Sequence, residues 1–413
     1  MAIRSEEPWG SVDRMRDRAG WKKMSFSAVL PRPARRPSAL GASGDEPPGL
    51  DPRLRRSQPL DGMRTLAVAF VVLYHFHVPG FGGGFIGVNV FFVLSGYLIT
   101  SILFREHRAT GRIRLGAFWL RRLLRLYPAL LVMVLVGVTL WVLLGNDGGA
   151  TLAPPSAALL VLSYTGNLAR SLARVSQGVF SPTWSLATEE QFYLIWPPIL
   201  FLLLSKRART GLVLGALAVL VVASSAAGWL LYDDRGGSAT PDIYFNPIFN
   251  VAPLLMGCIL ALGLSGERMR RALAGRLGTV LAVTGLAGIL AIQFTITADW
   301  KQLPAVFGLV LPAVGLATAC FIAGTAARRS FVSRALSWRP LAWFGRNMSY
   351  SLYLWHVVVL DLVLMTLSGP LARVVAIALA LVAAGLSHFL VERPFGRLKE
   401  RWEPRPTARQ LAA

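Results

Sequence analysis

The sequence predicts an all-α, polytopic membrane protein of about ten transmembrane helices with both termini cytoplasmic. Hydrophobic residues make up 54% of the 413 and charged residues only 15%, where a soluble chain carries about 25% charged residues; the mean hydropathy is +0.52. Apolar runs of membrane-spanning length recur along the whole chain. The net charge of +22 collects in alternate connections between those runs, as expected of cytoplasmic loops facing anionic lipid. The implied partner is the lipid bilayer of the cell inner (plasma) membrane. No nucleic acid is expected, because no folded basic domain is visible.

The elements follow in order. Residues 1–59 are rich in Arg, Pro, Gly and Ser, lack apolar periodicity and contain no signal-peptide core; they read as a disordered basic N-terminal tail, with Met24 and Met63 as alternative starts. The transmembrane domain is expected over 60–395. Its first span covers about 60–79 and leaves through the Gly-rich turn 79–84; the second, about 85–104, returns to a basic connection at 105–125. The third, about 126–145, exits at Gly145-Asn146-Asp147-Gly148, and the fourth ends before Lys206 and Arg207. Span five leaves by Asp233 and Asp234, and span six ends before the basic connection 267–276. Spans seven to ten fall at about 277–296, 303–326, 348–367 and 371–391, and 396–413 is a basic cytoplasmic C-terminal tail. Residues 153–172 are apolar enough to span, but counting them would put Lys206 outside. With polar Ser163, Thr165, Asn167 and Arg170, they are expected to be re-entrant or to lie flat on the outer side.

Polar residues within the spans are the candidates for chemistry. Glu189 and Glu190 open a run into an apolar stretch, in the block WSLATEEQFYLIWPP that starts at Trp184 and includes Tyr193. Paired carboxylates there are costly in lipid and rarely persist without a task. On the first span Arg64 and His75 are 11 residues apart, which places them on one face about 16 Å apart in rise. Asp61 and Arg64 share the first helical turn. Arg64 alone reads as an interfacial cation. His75 reads equally as a core hydrogen-bonder or as a general base, the usual role of histidine at neutral pH.

Arg121, Arg122 and Arg125, beside Trp119 and Tyr127, fit either positive-inside topology or a phosphate clamp, since guanidinium groups bind phosphate bidentately. The ninth span opens Ser349-Tyr350-Ser351-Leu352-Tyr353-Leu354-Trp355-His356, an aromatic belt or a site. Small residues at 87–98 on the second span suit close helix contact, and Asn89 and Ser95 there need buried partners. Cys258 and Cys320 sit in apolar runs and read as core residues. No metal-ligand cluster is visible.

Together these blocks resemble the acyltransferase 3 family, the O-antigen acetylase-like membrane proteins that O-acylate glycans and natural products. The family pairs an Arg and a His on the first span, matched by Arg64 and His75. Its GVxxFFVLSGFLI is matched at 87–99 with Tyr97 for Phe, and its RRxxRIxP by Arg121, Arg122, Arg125 and Pro128 with Leu126 for Ile. WSLxxEEQFYLIWP is matched at 184–197, SYxLYLWH at 349–356, and the closing E-x-P by Glu392 and Pro394. The similarity covers roughly residues 58–395 in the expected order. Asn89 departs from the Asp of many relatives, and no extracytoplasmic hydrolase-like domain is expected after the last span.

The resemblance implies transfer of an acyl group, acetyl being the expected one, from acetyl-CoA or another acyl-CoA to a hydroxyl of a cell-envelope glycan (a polysaccharide included), a glycolipid or a small-molecule acceptor such as a macrolide. His75 would be general base or transient acyl carrier, with Glu189 orienting it or binding the acceptor hydroxyl. Arg122 and Arg125 would hold the CoA phosphates and Arg64 complete the clamp. Asp61, Trp184, Glu190, Tyr193, Tyr353 and His356 would bind substrate or support these groups. The alternative is a transporter or flippase for a glycolipid or metabolite, which would be expected to show an internal repeat; none is found. Oligomeric state is left open.

Overall fold

The computed structural model describes residues 58–232, 244–297, 304–325 and 330–402, the side chains of 398–402 excepted. The expected tail at 1–57, the acidic connection at Asp233 and Asp234, and residues 403–413 lie outside the described residues. Among the described residues every regular element is helical: α1 Gln58–His75, α2 Gly87–Thr110, α3 Leu115–Leu144, α4 Pro154–Leu162, α5 Gly166–Ala173, α6 Trp184–Ser205, α7 Thr210–Leu230, α8 Pro247–Gly263 and α9 Glu267–Leu273. There follow α10 Arg276–Thr295, α11 Leu311–Thr325, α12 Phe331–Leu336, α13 Arg339–Asn347, α14 Ser349–Leu364, α15 Gly369–Ser387 and α16 Arg393–Trp402. Helices occupy all ten segments expected to span.

Six helical stretches are long and apolar enough to cross a membrane, and up to eight if α8–α9, bent by 101°, and α13–α14, bent by 67°, each count as one span. Large apolar side chains such as Leu143 on α3, Leu212 and Val222 on α7 and Val374 on α15 are exposed, as a lipid-facing surface requires. The chain is a multi-pass membrane protein. The expected count of ten exceeds the six to eight that length and apolarity give; α1 and α6, outside that set, carry Asp61, Arg64 and His75, and Glu189, Glu190 and Gln191, respectively. Their polar residues, which lower their hydropathy, are partly or wholly covered by protein.

The boundaries correct two expectations. First, the basic connection at 105–125 is mostly helix. α2 runs on to Thr110 and ends at left-handed Gly111, α3 starts at Leu115, and only 111–114 connect them. Leu and Arg are good helix formers, so nothing between Leu115 and Tyr127 stops the helix, and Pro128 is accommodated inside it. Second, the first span ends at His75 rather than near residue 79. His77 takes a left-handed conformation (φ 51°), and the Val78 N–H bonds back to the Leu73 carbonyl at 3.0 Å, a six-to-one closure that terminates a helix. His75 is therefore the last helical residue, not one deep within the span. Residues 153–172, expected not to span, form two short helices, α4 and α5, broken at left-handed Tyr164 (φ 56°). At about 14 and 12 Å, neither reaches across a core of about 30 Å.

Close approaches hold the centre. On α2, a Cβ at Gly96 would collide with the Leu254 carbonyl, and one at Gly257 of α8 with the Val93 carbonyl. These two helices thus meet backbone to backbone, as small residues permit in membranes. Gly345 of α13 approaches the Asp61 carbonyl in the same way. The cluster formed by α1, α2, α6, α8 and α11, with Val71, Phe92, Val93, Leu254 and Val314 fully buried, frames a polar interior.

Candidate active site

The two histidines meet across α1 and α14. His75 Nδ1 lies 2.8 Å from the Val71 carbonyl, one turn back. His356, fully buried, has Nδ1 2.7 Å from the Tyr353 carbonyl and Nε2 3.3 Å from His75 Nδ1. The ring centroids are 4.9 Å apart. A carbonyl only accepts, so each Nδ1 carries a proton in the neutral pair; the His75 Nδ1–H is shared between Val71 and the bare Nε2 of His356. His75 is left with its lone pair on Nε2, which is what a general base needs. Tyr74 packs on the His75 ring at 5.1 Å and Tyr353 on that of His356 at 5.6 Å. The Tyr353 hydroxyl donates to the Pro182 carbonyl and so accepts from Ser185 Oγ at 2.7 Å.

The acidic pair of α6 is held separately. Glu189 accepts from Ser95 Oγ and from the Tyr193 hydroxyl, each at 3.0 Å. Glu190 meets Arg122 at 3.5 Å. The Arg122 guanidinium carbon lies 3.4 Å from the centre of the Tyr193 ring, a cation–π arrangement, and Trp119 fixes that turn of α6 by donating to the Tyr193 carbonyl at 3.0 Å. Arg122 Nε is buried with no partner among the described residues. Arg125 is exposed and within electrostatic reach of Arg64, Arg122 and Glu392. Arg125 is thus within electrostatic reach of both arginines expected to act with it.

At the other end of α1, Asp61 is buried and binds Arg64 at 3.3 Å. Its second oxygen takes both Nε and a terminal nitrogen of Arg346, at 3.0 and 2.8 Å. Trp184 lies in an aromatic cluster with Tyr244 at 5.1 Å, Phe245 at 5.4 Å and Phe92 at 6.2 Å. Sequence reasoning missed Arg346, the Ser95 partner of Glu189, and the Glu392 cluster. There Glu392 accepts from Ser351 and sits 3.7 Å from His388 Nδ1, in a π-helical turn at 388–392 of the kind frequent at functional sites. A signal for Arg346 existed, a cation just before the motif at 349–356. Glu392 was visible only as a motif letter. Among the described residues, no three His, Cys, Asp or Glu side chains are grouped to hold a metal ion.

A family model described as an acyltransferase domain matches residues 58–390. The Bacillus subtilis protein YrhL, provisionally named a peptidoglycan O-acetyltransferase, is 34% identical over 81% of this chain and 54% of its own length. A Staphylococcus aureus protein provisionally named an O-acetyltransferase is 32% identical over 85% of this chain and 60% of its own. The peptidoglycan O-acetyltransferase OatA of Listeria monocytogenes is 33% identical over 81% of this chain and 55% of its own. The chain thus spans just over half the length of these relatives. No solved structure matches it. With six motifs in order, the residues they carry gathered around one interior, and a family model covering most of the chain, the chain belongs to the acyltransferase 3 family.

Proposed function

We propose that the chain is an O-acyltransferase of the plasma membrane that moves an acetyl group from acetyl-CoA, or the acyl group of another acyl-CoA, to a hydroxyl of a cell-envelope glycan, a glycolipid or a small molecule such as a macrolide. The observation that carries this reading is the tethered histidine pair, which leaves His75 Nε2 as a base. Similarity to proteins named as peptidoglycan O-acetyltransferases favours an envelope glycan. We take α1 and α6 as spans beside the other eight, since their charges are covered by protein; ten spans and two cytoplasmic termini follow.

Arg122, Arg125 and Arg64 hold the donor's phosphates on the cytoplasmic side, and the pantetheine arm carries the thioester along α1 toward His75. His75 Nε2 takes the proton of the acceptor hydroxyl as its oxygen attacks the thioester carbonyl. A C–O bond forms, the C–S bond breaks, and the departing thiolate recovers the proton from the imidazolium. The products are the O-acetyl ester and free CoA. His356 and Tyr353 support the base, and Asp61 fixes the cytoplasmic end of α1. Glu189 presents a carboxylate to the acceptor, held by Ser95 and Tyr193. Glu190 balances Arg122, and Trp184 shapes the outer end.

The test uses purified protein in lipid nanodiscs with acetyl-CoA and a thiol-detecting reagent. The expected result is slow acceptor-free release of CoA thiol, water replacing the acceptor, and its loss in His75→Ala. A protein that moves solutes without chemistry leaves the thioester intact, and that outcome rejects the transferase reading.

A further inference from the structure

Arg170 of α5 has no place in the mechanism above, yet its position is tightly built. Its guanidinium carbon lies 4.0 Å from the Phe245 ring centroid, and Tyr244 is within its electrostatic reach. Among the described residues no ion pair includes it, although the side chain is partly buried. A cation withdrawn from water without a counter-charge is unfavourable unless something supplies the charge.

Two features argue against a loose interfacial arginine. The first is rigidity. Asn167, one turn before Arg170, donates to Thr188 Oγ1 at 3.2 Å and to Gln191 Oε1 at 3.1 Å. Gln191 donates back to Asn167 at 2.9 Å and to the Tyr164 carbonyl at 2.8 Å, and Gln177 donates to the Gly166 carbonyl at 3.0 Å. The bonds to Thr188 and Gln191 lock α5 onto the turn of α6 that carries Glu189 and Glu190. The second is position. Phe245 and Tyr244 are in ring contact at 5.2 Å, and Tyr244 is in turn within electrostatic reach of Tyr74 and Tyr353, whose rings contact His75 and His356. Tyr244 therefore stands between Arg170 and the tyrosines that flank the catalytic pair, in ring contact with Phe245 and within electrostatic reach of Tyr74 and Tyr353. Such rings suit the apolar faces of sugars, and a stacked guanidinium suits a carboxylate or phosphate.

We infer that Arg170, stacked on Phe245, anchors an anionic group of the acceptor, so that the site selects an acidic sugar or sugar phosphate over a neutral sugar. The inference rests on the transferase reading and names the acceptor class for that same site.

The experiment uses the full chain in nanodiscs, wild type, Arg170→Gln and Arg170→Lys, each first confirmed to elute as folded protein. Three probes are titrated for binding and tested as acetyl acceptors from acetyl-CoA: N-acetylglucosamine (neutral), N-acetylmuramic acid (carboxylate) and N-acetylglucosamine 1-phosphate (phosphate). The wild type is expected to bind at least one acidic probe about tenfold more tightly than the neutral one. Arg170→Gln erases that difference and Arg170→Lys restores part of it. Which acidic probe is preferred tells carboxylate from phosphate. Equal affinity for neutral and acidic probes, no saturable binding of either acidic probe, or equal losses for all three in Arg170→Gln overturns the assignment. Failure of the transferase reading is distinguishable: Arg170-dependent binding of an acidic probe with no thioester cleavage by the wild type keeps the anchor and rejects the reaction.

Discussion

A histidine is a dependable base at one nitrogen only when the other is held, and here the hold on His75 is a backbone carbonyl at 2.8 Å backed by a second imidazole at 3.3 Å. Removing the base through His75→Ala is expected to lower acetyl transfer by about 10² to 10⁴-fold, the usual worth of general base catalysis. His356→Ala removes only the outer hold: kcat should fall while the KM for acetyl-CoA stays, and His356→Gln, whose amide oxygen can accept from His75 Nδ1–H, should recover part of the loss. If His356→Gln is as poor as His356→Ala and both also raise the donor KM, the positioning role is wrong. His75, Glu189 and His356 were legible as candidates because ionisable residues inside apolar runs are rare, and Arg122 as one of a cluster of arginines beside aromatic residues. Their pairing was not. The sequence left Glu189 either to orient His75 or to bind the acceptor hydroxyl; it is held by Ser95 and Tyr193, and the contact His75 does make, with His356, joins residues 281 apart in the chain. Arg170 was visible only as a polar residue in an apolar segment, since its significance lies in what surrounds it.

The helices are fastened to one another by backbone contact and by one inner ion pair, and each makes a prediction. Gly96→Leu forces α2 away from α8, because the Leu254 carbonyl already occupies the space of a Cβ. It is expected to abolish the monodisperse peak in detergent gel filtration, whereas Gly215→Ala on α7, which meets nothing within 4 Å, leaves it unchanged. Equal behaviour of the two would mean the α2–α8 contact is not what holds the centre. Arg346→Ala unpairs one side of buried Asp61. Breaking a buried pair costs about 3–5 kcal/mol, but the Arg346 side chain is 38% exposed, so a cost of about 1–2 kcal/mol is expected, read as a lower thermal midpoint. Helix existence was legible at this scale in all ten segments, because runs of twenty apolar residues admit little else in a membrane. The ends were less so. A basic stretch reads as a loop by charge, yet Arg and Leu extend α3 back to Leu115. The end of α1 depends on His77 turning left-handed, which residue type alone does not announce.

Across the whole molecule, charge alternation and hydropathy pull apart at the two helices that carry the candidate histidine and the paired carboxylates. α1 and α6 fall below the apolarity expected of a span because they hold Asp61, Arg64 and His75, and Glu189, Glu190 and Gln191, so the proposed ten spans and a count by hydropathy differ at the helices that carry the candidate residues. Single cysteines separate the two counts. In a Cys258→Ala, Cys320→Ala background, Lys206→Cys should label only after the membrane is opened and Asp147→Cys should label in intact cells. Labelling of both from one side contradicts ten spans with cytoplasmic ends. The central claim, that this membrane protein transfers an acyl group using His75, is tested most directly by mass spectrometry of envelope glycans and secreted metabolites from cells carrying wild type or His75→Ala at equal membrane abundance. The account predicts an acetyl-sized increment on one acceptor in wild-type cells that is absent with His75→Ala. An increment of equal size in both would contradict the assignment of His75 as the base.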